Sequence, residues 1–291
     1  MLVPSSISWN VLWQLHRQRT DDHSLSLDRG RHPPMDEKRT SDWDRRRRGE
    51  AERVLAVYEA RNARSIGSRY SLTSAASLMA VQERERYLLG QLARRGWDPA
   101  NLDCLDVGCG TGGELARLVA YGADPRRLHG VDLRDDAIAA AKSRLPLCDI
   151  VAGDASALHY ATGSMDMVMQ FTTLSSILDE PVRQRVAVEM IRVCRPAGLI
   201  VSYDFIANPT NADTRGLSRD EVSRLFPGCQ ICTHRVTLAP PIARRIALRS
   251  GRLAALLGAF PPLRTHLIAF VTPGPSPQMP DGPGRGNSPS T

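Results

Sequence analysis

Apolar positions change their period several times along this chain. Between 50 and 95 they recur at helical spacing, with Val54, Leu55, Val57 and Tyr58 in one segment and Leu78, Met79, Val81, Tyr87, Leu88 and Leu92 in another. Short apolar runs then follow at 103–107, 128–132, 148–152, 165–171 and 198–205, separated by helical stretches at 113–121, 134–143 and 181–194. This alternation predicts an α/β fold, a parallel sheet doubly wound by helices on both faces. Pro181 suits the first turn of the third helix, and Arg195-Pro196-Ala197-Gly198 ends it. Beyond Asp204 the rhythm becomes a helix at 218–225, a strand at 230–237, a helix at 241–257 and a strand at 265–271.

The same patterning sets the expected domain limits. Residues 1–46 mix polar, charged and proline positions without a period, which predicts a poorly ordered arm, with Met35 as an alternative start. Residues 47–272 read as one domain opened by a helical lid, and 273–291 read as a disordered tail rich in proline, glycine and serine. No internal repeat is visible. No apolar run approaches the roughly 20 residues of a membrane-spanning helix. The first residues lack a basic start and a small-residue cleavage site, so a cytoplasmic protein is expected.

The densest chemical signal is CLDVGCGTGGEL at 104–115, where an apolar strand runs into a glycine turn and then a helix. Gly108 and Gly110 let the backbone turn tightly and approach a ligand closely. Together with Gly113 they satisfy the GxGxxG spacing of dinucleotide enzymes, so the glycines alone leave an NAD(P)-dependent oxidoreductase open. Asp106 weighs against it, because a carboxylate at that strand end suits a cationic amino-acid cofactor and suits a pyrophosphate poorly. The next strand ends in Asp132, placed to accept from two ribose hydroxyls, and GDASAL at 153–158 puts Asp154 and Ala155 where an adenine could be held. Three acidic residues thus fall at three successive strand tips.

The ordered set DVGCGTG, GVDL, GDA and RPAGLIVSYDF resembles the class I S-adenosylmethionine-dependent methyltransferases over about residues 50–272. That resemblance implies a Rossmann-like seven-stranded sheet, mostly parallel with an antiparallel last strand, and S-adenosylmethionine as cofactor. It places Asp106, Gly108 and Gly110 at the methionine end, Asp132 and Leu133 at ribose and adenine, and Asp154 and Ala155 at adenine. Gln170 and Phe171 would face the cofactor near its methyl group. The segments 69–86, 204–228 and 237–245 further resemble a bacterial small-molecule methyltransferase subgroup, methyltransferase domain 11/25-like, associated with glycan or lipid pathways. Where that subgroup carries Leu-Pro and Phe-Asp before the fourth strand, this chain has Leu158-His159 and Met165-Asp166.

Methyl transfer from a sulfonium is an in-line displacement that positioning alone can accelerate, so no catalytic side chain is obligatory. An oxygen acceptor would gain from a general base, for which His159, Tyr203 and Asp204 are candidates; the plainer reading makes them loop and strand-end residues. Arg69, Tyr70 and Ser71 precede the first domain strand, and a lid there would bring Tyr70 to the cofactor.

Composition refines the partners. The net charge of +7 admits an acidic substrate, nucleic acid or an anionic membrane, although a solvated basic surface explains it as well. Nucleic acid gains no motif: the chain reads QFTTLSS after the fourth strand, without an Asn/Asp-Pro-Pro-aromatic signature, and aromatic residues are only 5%. The segment 242–260 sets Arg245, Arg249 and Arg252 on one helical face and Ile242, Ile246, Leu253 and Leu257 on the other, which fits either peripheral membrane contact or a helix covering the sheet. The six cysteines are scattered, as expected of free thiols, and the lone Cys229-x-x-Cys232 supplies no metal set. Lys38 and Lys142, the only lysines, provide no Tyr-x-x-x-Lys for an oxidoreductase. The expected function is methyl transfer to a small-molecule acceptor, a glycan or lipid precursor; a non-catalytic cofactor-binding protein is the remaining alternative.

Overall fold

The computed structural model describes residues 37–63, 73–208 and 211–274. Two units separate along the chain, Met1–Ser41 and Asp42–Thr291. Of the first unit the described residues are the opening turn of α1 (Glu37–Ala63); all else below concerns the second. After α1 come α2 (Ala75–Arg95), β1 (Cys104–Val107), α3 (Gly113–Ala120), β2 (Leu128–Asp132), α4 (Asp135–Arg144) and β3 (Asp149–Ala152). Then follow β4 (Met165–Phe171), α5 (Glu180–Val193), β5 (Cys194–Phe205), α6 (Arg219–Leu225), β6 (Gln230–Leu238), α7 (Pro240–Ile246), α8 (Gly251–Gly258) and β7 (Arg264–Thr272).

The seven strands form one sheet in the order β3-β2-β1-β4-β5-β7-β6. Strands β1 to β5 pair in parallel, and β7 runs antiparallel to both β5 and β6. This is the doubly wound parallel sheet that the pattern predicts, with the reversed last strand that the resemblance implies. Strand β1 is buried at every position, as a central parallel strand covered on both faces must be. Its alternation divides the core. Leu105 and Val107 join Val186 and Met190 of α5 and Phe226 beyond α6, while Cys104 faces Leu88 and Leu92 of α2 and Leu115 of α3.

Two boundaries differ from the sequence reading, each for a local reason. α1 begins at Glu37, upstream of the boundary at 47, because its polar first half is supported by ion pairs at helical spacing: Asp42 with Arg45 and Arg46, Asp44 with Arg47. The single helix expected at 241–257 is two, since the Ser250 side chain accepts from the Leu253 N–H and starts α8 afresh. The expected tail falls outside the described residues from 275 onward, and so does the arm up to 36.

α5 starts where the Asp179 carboxylate caps the Val182 N–H, with Pro181 in the first turn. It carries Arg183, fully buried, whose guanidinium pairs with Glu221 of α6. Arg215 and Arg224 also reach Glu221, so one buried carboxylate gathers three guanidinium groups and ties α6 to α5. Burial lowers the pKa of Arg183, the signature of a charge whose partner is required. Replacing Glu221 by Ala leaves that buried charge only Glu180, 3.5 Å away and half exposed, which should cost about 2 kcal/mol or more in a denaturant melt. Arg224→Ala, removing an exposed partner, should cost under about 1 kcal/mol in the same measurement.

Candidate functional site

The chain leaves β1 through a left-handed turn, with φ of 74° at Gly108, 53° at Gly110 and 74° at Gly112. The N–H groups of Gly108 and Cys109 both donate to the Val131 carbonyl of β2, at 2.7 and 3.0 Å, and pin the turn to the neighbouring strand. Crowding as well as dihedral angle demands glycine at 108. A Cβ there would lie 2.2 Å from Thr173 Oγ1, which itself donates to the Val107 carbonyl. At 110 an added Cβ would meet only Arg134 Nη2, at an ordinary contact distance of 3.6 Å, so there the dihedral angle and not crowding calls for glycine.

Asp132 closes the second strand and binds both neighbouring loops. Its Oδ2 accepts from the Gly110 N–H at 2.8 Å and its Oδ1 from the Arg134 N–H at 2.9 Å. Each oxygen keeps lone pairs for a ligand, since a carboxylate offers about four acceptor sites. Asp154, after β3, accepts from the Ser156 N–H at 2.8 Å through Oδ1. Asp132, Leu133, Asp154 and Ala155 all line one cavity, together with Gly108, Val131, Gly153, Phe171 and Thr173.

Asp106 lies behind the glycine turn, buried, and its Oδ1 has no hydrogen-bond partner. Burial, reinforced by the nearby Glu114 and Asp132 carboxylates, pushes its pKa well above the carboxylate range; Arg84 and Arg117 oppose this only in part. An acceptor held without a donor in so dry a place costs free energy that an incoming cation would return.

The outer wall of the cavity is α1. Arg47, Glu50, Ala51, Val54 and Tyr58 line it from one helical face. The buried Glu50 carboxylate accepts from the Leu178 N–H at 2.6 Å and pairs with Arg53, which in turn donates to the Ser176 carbonyl. The helix is therefore fastened to the loop between β4 and α5. Arg47 approaches Asp154 Oδ2 at 3.6 Å, and the Arg134 guanidinium sits 4.5 Å from the centre of the Tyr58 ring. Sequence reasoning missed these five residues, although positions 47, 51, 54 and 58 repeat at the spacing of one helical face. It placed the cover instead at Arg69, Tyr70 and Ser71, which lie outside the described residues.

Four expected residues stand elsewhere. Gln170 does not face the cavity: it is fully buried, donating to Ser202 Oγ and Asp204 Oδ2 and accepting from the Thr173 N–H, so it braces the turn after β4 from beneath. Phe171 does line the cavity, carried there by Thr172, whose φ of 63° is an uncommon state for a β-branched residue. Of the candidate bases, Asp204 is sealed under the same turn, bonded to Gln170 and the Ser175 N–H. Tyr203 is buried with its hydroxyl 2.8 Å from Thr237 Oγ1, and burial pushes its pKa up to about 12. His159 is exposed and lies against the Tyr160 ring, outside the cavity lining. The three are corrected as bases for one physical reason: none of them lines the cavity.

Residues 104–198, from β1 into β5, match the family model of a methyltransferase domain. Over these residues the chain carries a methyltransferase domain. A demethylmenaquinone methyltransferase of Renibacterium salmoninarum is 32% identical over 42% of this chain and 49% of its own length. A sterol 4-C-methyltransferase of Caenorhabditis elegans is 29% identical over 36% of this chain and 32% of its own. The chain thus spans less than half the length of these two relatives. A solved S-adenosylmethionine dependent methyltransferase from Mesorhizobium loti aligns with 18% identity and a TM-score of 0.46, over 60% of this chain and 92% of that one.

The cofactor of such domains is S-adenosylmethionine, and the residues of the methyltransferase domain fit it. The orphaned Asp106 oxygen suits an ammonium, the glycine turn bears no side chain that would keep a ligand off, and Asp132 retains acceptor capacity. Among the groups below this site, Asp204 gives a direct check on the geometry. Its burial raises the pKa from 3.8 to about 6 despite the bonds from Ser175 and Gln170. A carboxyl raised in this way binds its proton more tightly in the folded protein, so its contribution to stability is whole below 3.8 and is lost as pH rises through about 6. Carboxyl NMR should show Asp204 titrating near 6; a midpoint at the ordinary value would place it in water instead.

Proposed function

We propose that the protein transfers the methyl group of S-adenosylmethionine to a small-molecule acceptor, a lipid or glycan precursor. The observation that carries this reading is the pair of strand-tip carboxylates Asp132 and Asp154 on one cavity wall, with Asp106 buried behind the glycine turn, outside the cavity lining, and its Oδ1 lacking a donor. A sulfonium cofactor supplies an electrophilic methyl carbon; what remains for the chain is to bind, orient and exclude water. Asp106 holds the amino group, Gly108 and Gly110 admit the backbone approach, and Asp132 accepts from the ribose hydroxyls. Asp154 and Ala155 take the adenine edge beside Leu133, and Phe171 walls the methyl end. With His159, Tyr203 and Asp204 away from the cavity, the rate enhancement is assigned to positioning of acceptor and methyl carbon.

The relatives' names, which specify a demethylmenaquinone and a sterol, favour a lipid over a glycan as acceptor. Asp106 argues against an NAD(P)-dependent oxidoreductase, because its unsatisfied acceptor oxygen calls for a donor, which a pyrophosphate does not supply.

Calorimetric titration of the purified protein with S-adenosylmethionine, S-adenosylhomocysteine and NAD(H) tests this directly. Saturable binding is expected for the first two and none for the third. Asp132→Ala should weaken S-adenosylmethionine about tenfold or more, since a charge-assisted hydrogen bond is worth about 1.5–3 kcal/mol. Binding of NAD(H) alone would overturn the reading.

A further inference from the structure

The link between β6 and β7 is a two-helix hairpin, α7 and α8, with two unlike sides. On the inner side Ile242, Ile246, Ala247 and Leu257 pack with Leu238 and with Ala76 and Met79 of α2, closing that end of the sheet. On the outer side Leu248 is 81% exposed, Leu256 69%, Phe260 58% and Leu253 45%. Arg244, Arg245, Arg249 and Arg252 stand exposed among them. The sequence reading had set the apolar and basic positions on opposite faces of one helix; the break at Ser250 brings a second set of leucines out beside the arginines.

The charge arrangement here differs from that along the first half of α1. On α1, Arg45, Arg46, Arg47 and Arg53 each have a carboxylate partner. On the hairpin, none of the four arginines has an ion pair among the described residues, and no Asp or Glu occurs anywhere between Thr237 and Pro280. Uncompensated cations interleaved with exposed large apolar side chains are complementary to one kind of surface: anionic headgroups over hydrocarbon. A second copy of the chain would set arginine against arginine. A nucleic-acid backbone would satisfy the arginines and leave Leu248, Leu256 and Phe260 in water.

Register fixes where the hairpin emerges. His266 of β7 pairs with Phe205 at the carboxyl end of β5, and Arg264 pairs with Leu238 at the end of β6. The hairpin therefore leaves the sheet at the carboxyl edge of its parallel strands, the edge that carries Gly108, Asp132 and Phe171. We propose that α7 and α8 dock the protein on an anionic phospholipid surface, with Leu248, Leu253, Leu256 and Phe260 entering the acyl boundary and the four arginines on lipid phosphates. Docked so, the catalytic edge of the sheet faces the bilayer, from which an apolar acceptor can enter. The docking itself does not depend on the methyl-transfer reading, and its test needs no cofactor.

The full chain is sedimented with vesicles of phosphatidylcholine alone and of phosphatidylcholine with phosphatidylglycerol. Binding is expected only to the second and should weaken with added salt. Arg245→Gln and Arg249→Gln should each lower partitioning about fivefold, and L256E with F260E should abolish it. Because these side chains are exposed, the melting temperature should stay unchanged in every variant. A folded protein that fails to sediment with phosphatidylglycerol vesicles overturns the proposal, as does equal binding to both vesicle types. A dimer split by L256E in the absence of vesicle binding assigns the surface to a second copy instead, and competition by RNA for the wild type but not for the arginine variants assigns it to nucleic acid.

Discussion

The carboxylate of Asp132 is the contact on which the site is organised. It stands at the tip of β2 and accepts from two backbone N–H groups, one in the glycine turn after β1 and one at the entry to α4. Charge-assisted bonds of this kind are short and directional, so the two loops are held together without a ligand. The turn can be held there only because Gly108 and Gly110 adopt left-handed dihedral angles and because nothing larger than hydrogen fits between Gly108 and Thr173. The residue that organises the turn is also the one that faces the cavity. In the proposed reading, cofactor recognition and local folding use different lone pairs of this one side chain.

Around that contact, polar groups are arranged in depth. Gln170 and Asp204 form a buried pair beneath the turn after β4, satisfying its N–H groups and setting Phe171 against the cavity. Asp106 sits in an equally dry place with its Oδ1 unsatisfied, and that contrast between two buried carboxylates is why the proposal gives one a bracing role and the other a binding one. On the solvent side α1 covers the cavity through Glu50 and Arg53, while Arg47 reaches toward Asp154. A cover fastened by a few polar contacts can open at modest cost, as an enzyme that must admit and release a nucleoside requires.

Much of this was legible in the amino-acid sequence, and the parts that were not share a cause. Strands β1 to β5 and the glycine turn announce themselves by local pattern: a short apolar run, then glycines, then a helical period. The acidic residues at 106, 132 and 154 could be placed because strand ends are local features too. Gln170 was misread because its partners, Ser202 and Asp204, lie on a neighbouring strand, and no spacing along the chain reports a bond across the sheet. The start of α1 was hidden since ion pairs rather than an apolar stripe support its first turns. The break between α7 and α8 did leave a trace, in Ser250-Gly251, a pair that commonly interrupts a helix.

The most direct test of the central claim is a crystal structure of the protein with S-adenosylhomocysteine. The account predicts its amino group on the Asp106 carboxylate, its ribose hydroxyls on Asp132 and its adenine beside Asp154, with Arg47 drawn away from that carboxylate. A complex in which Asp106 gains no partner and the nucleoside lies outside the cavity beneath α1 would contradict it.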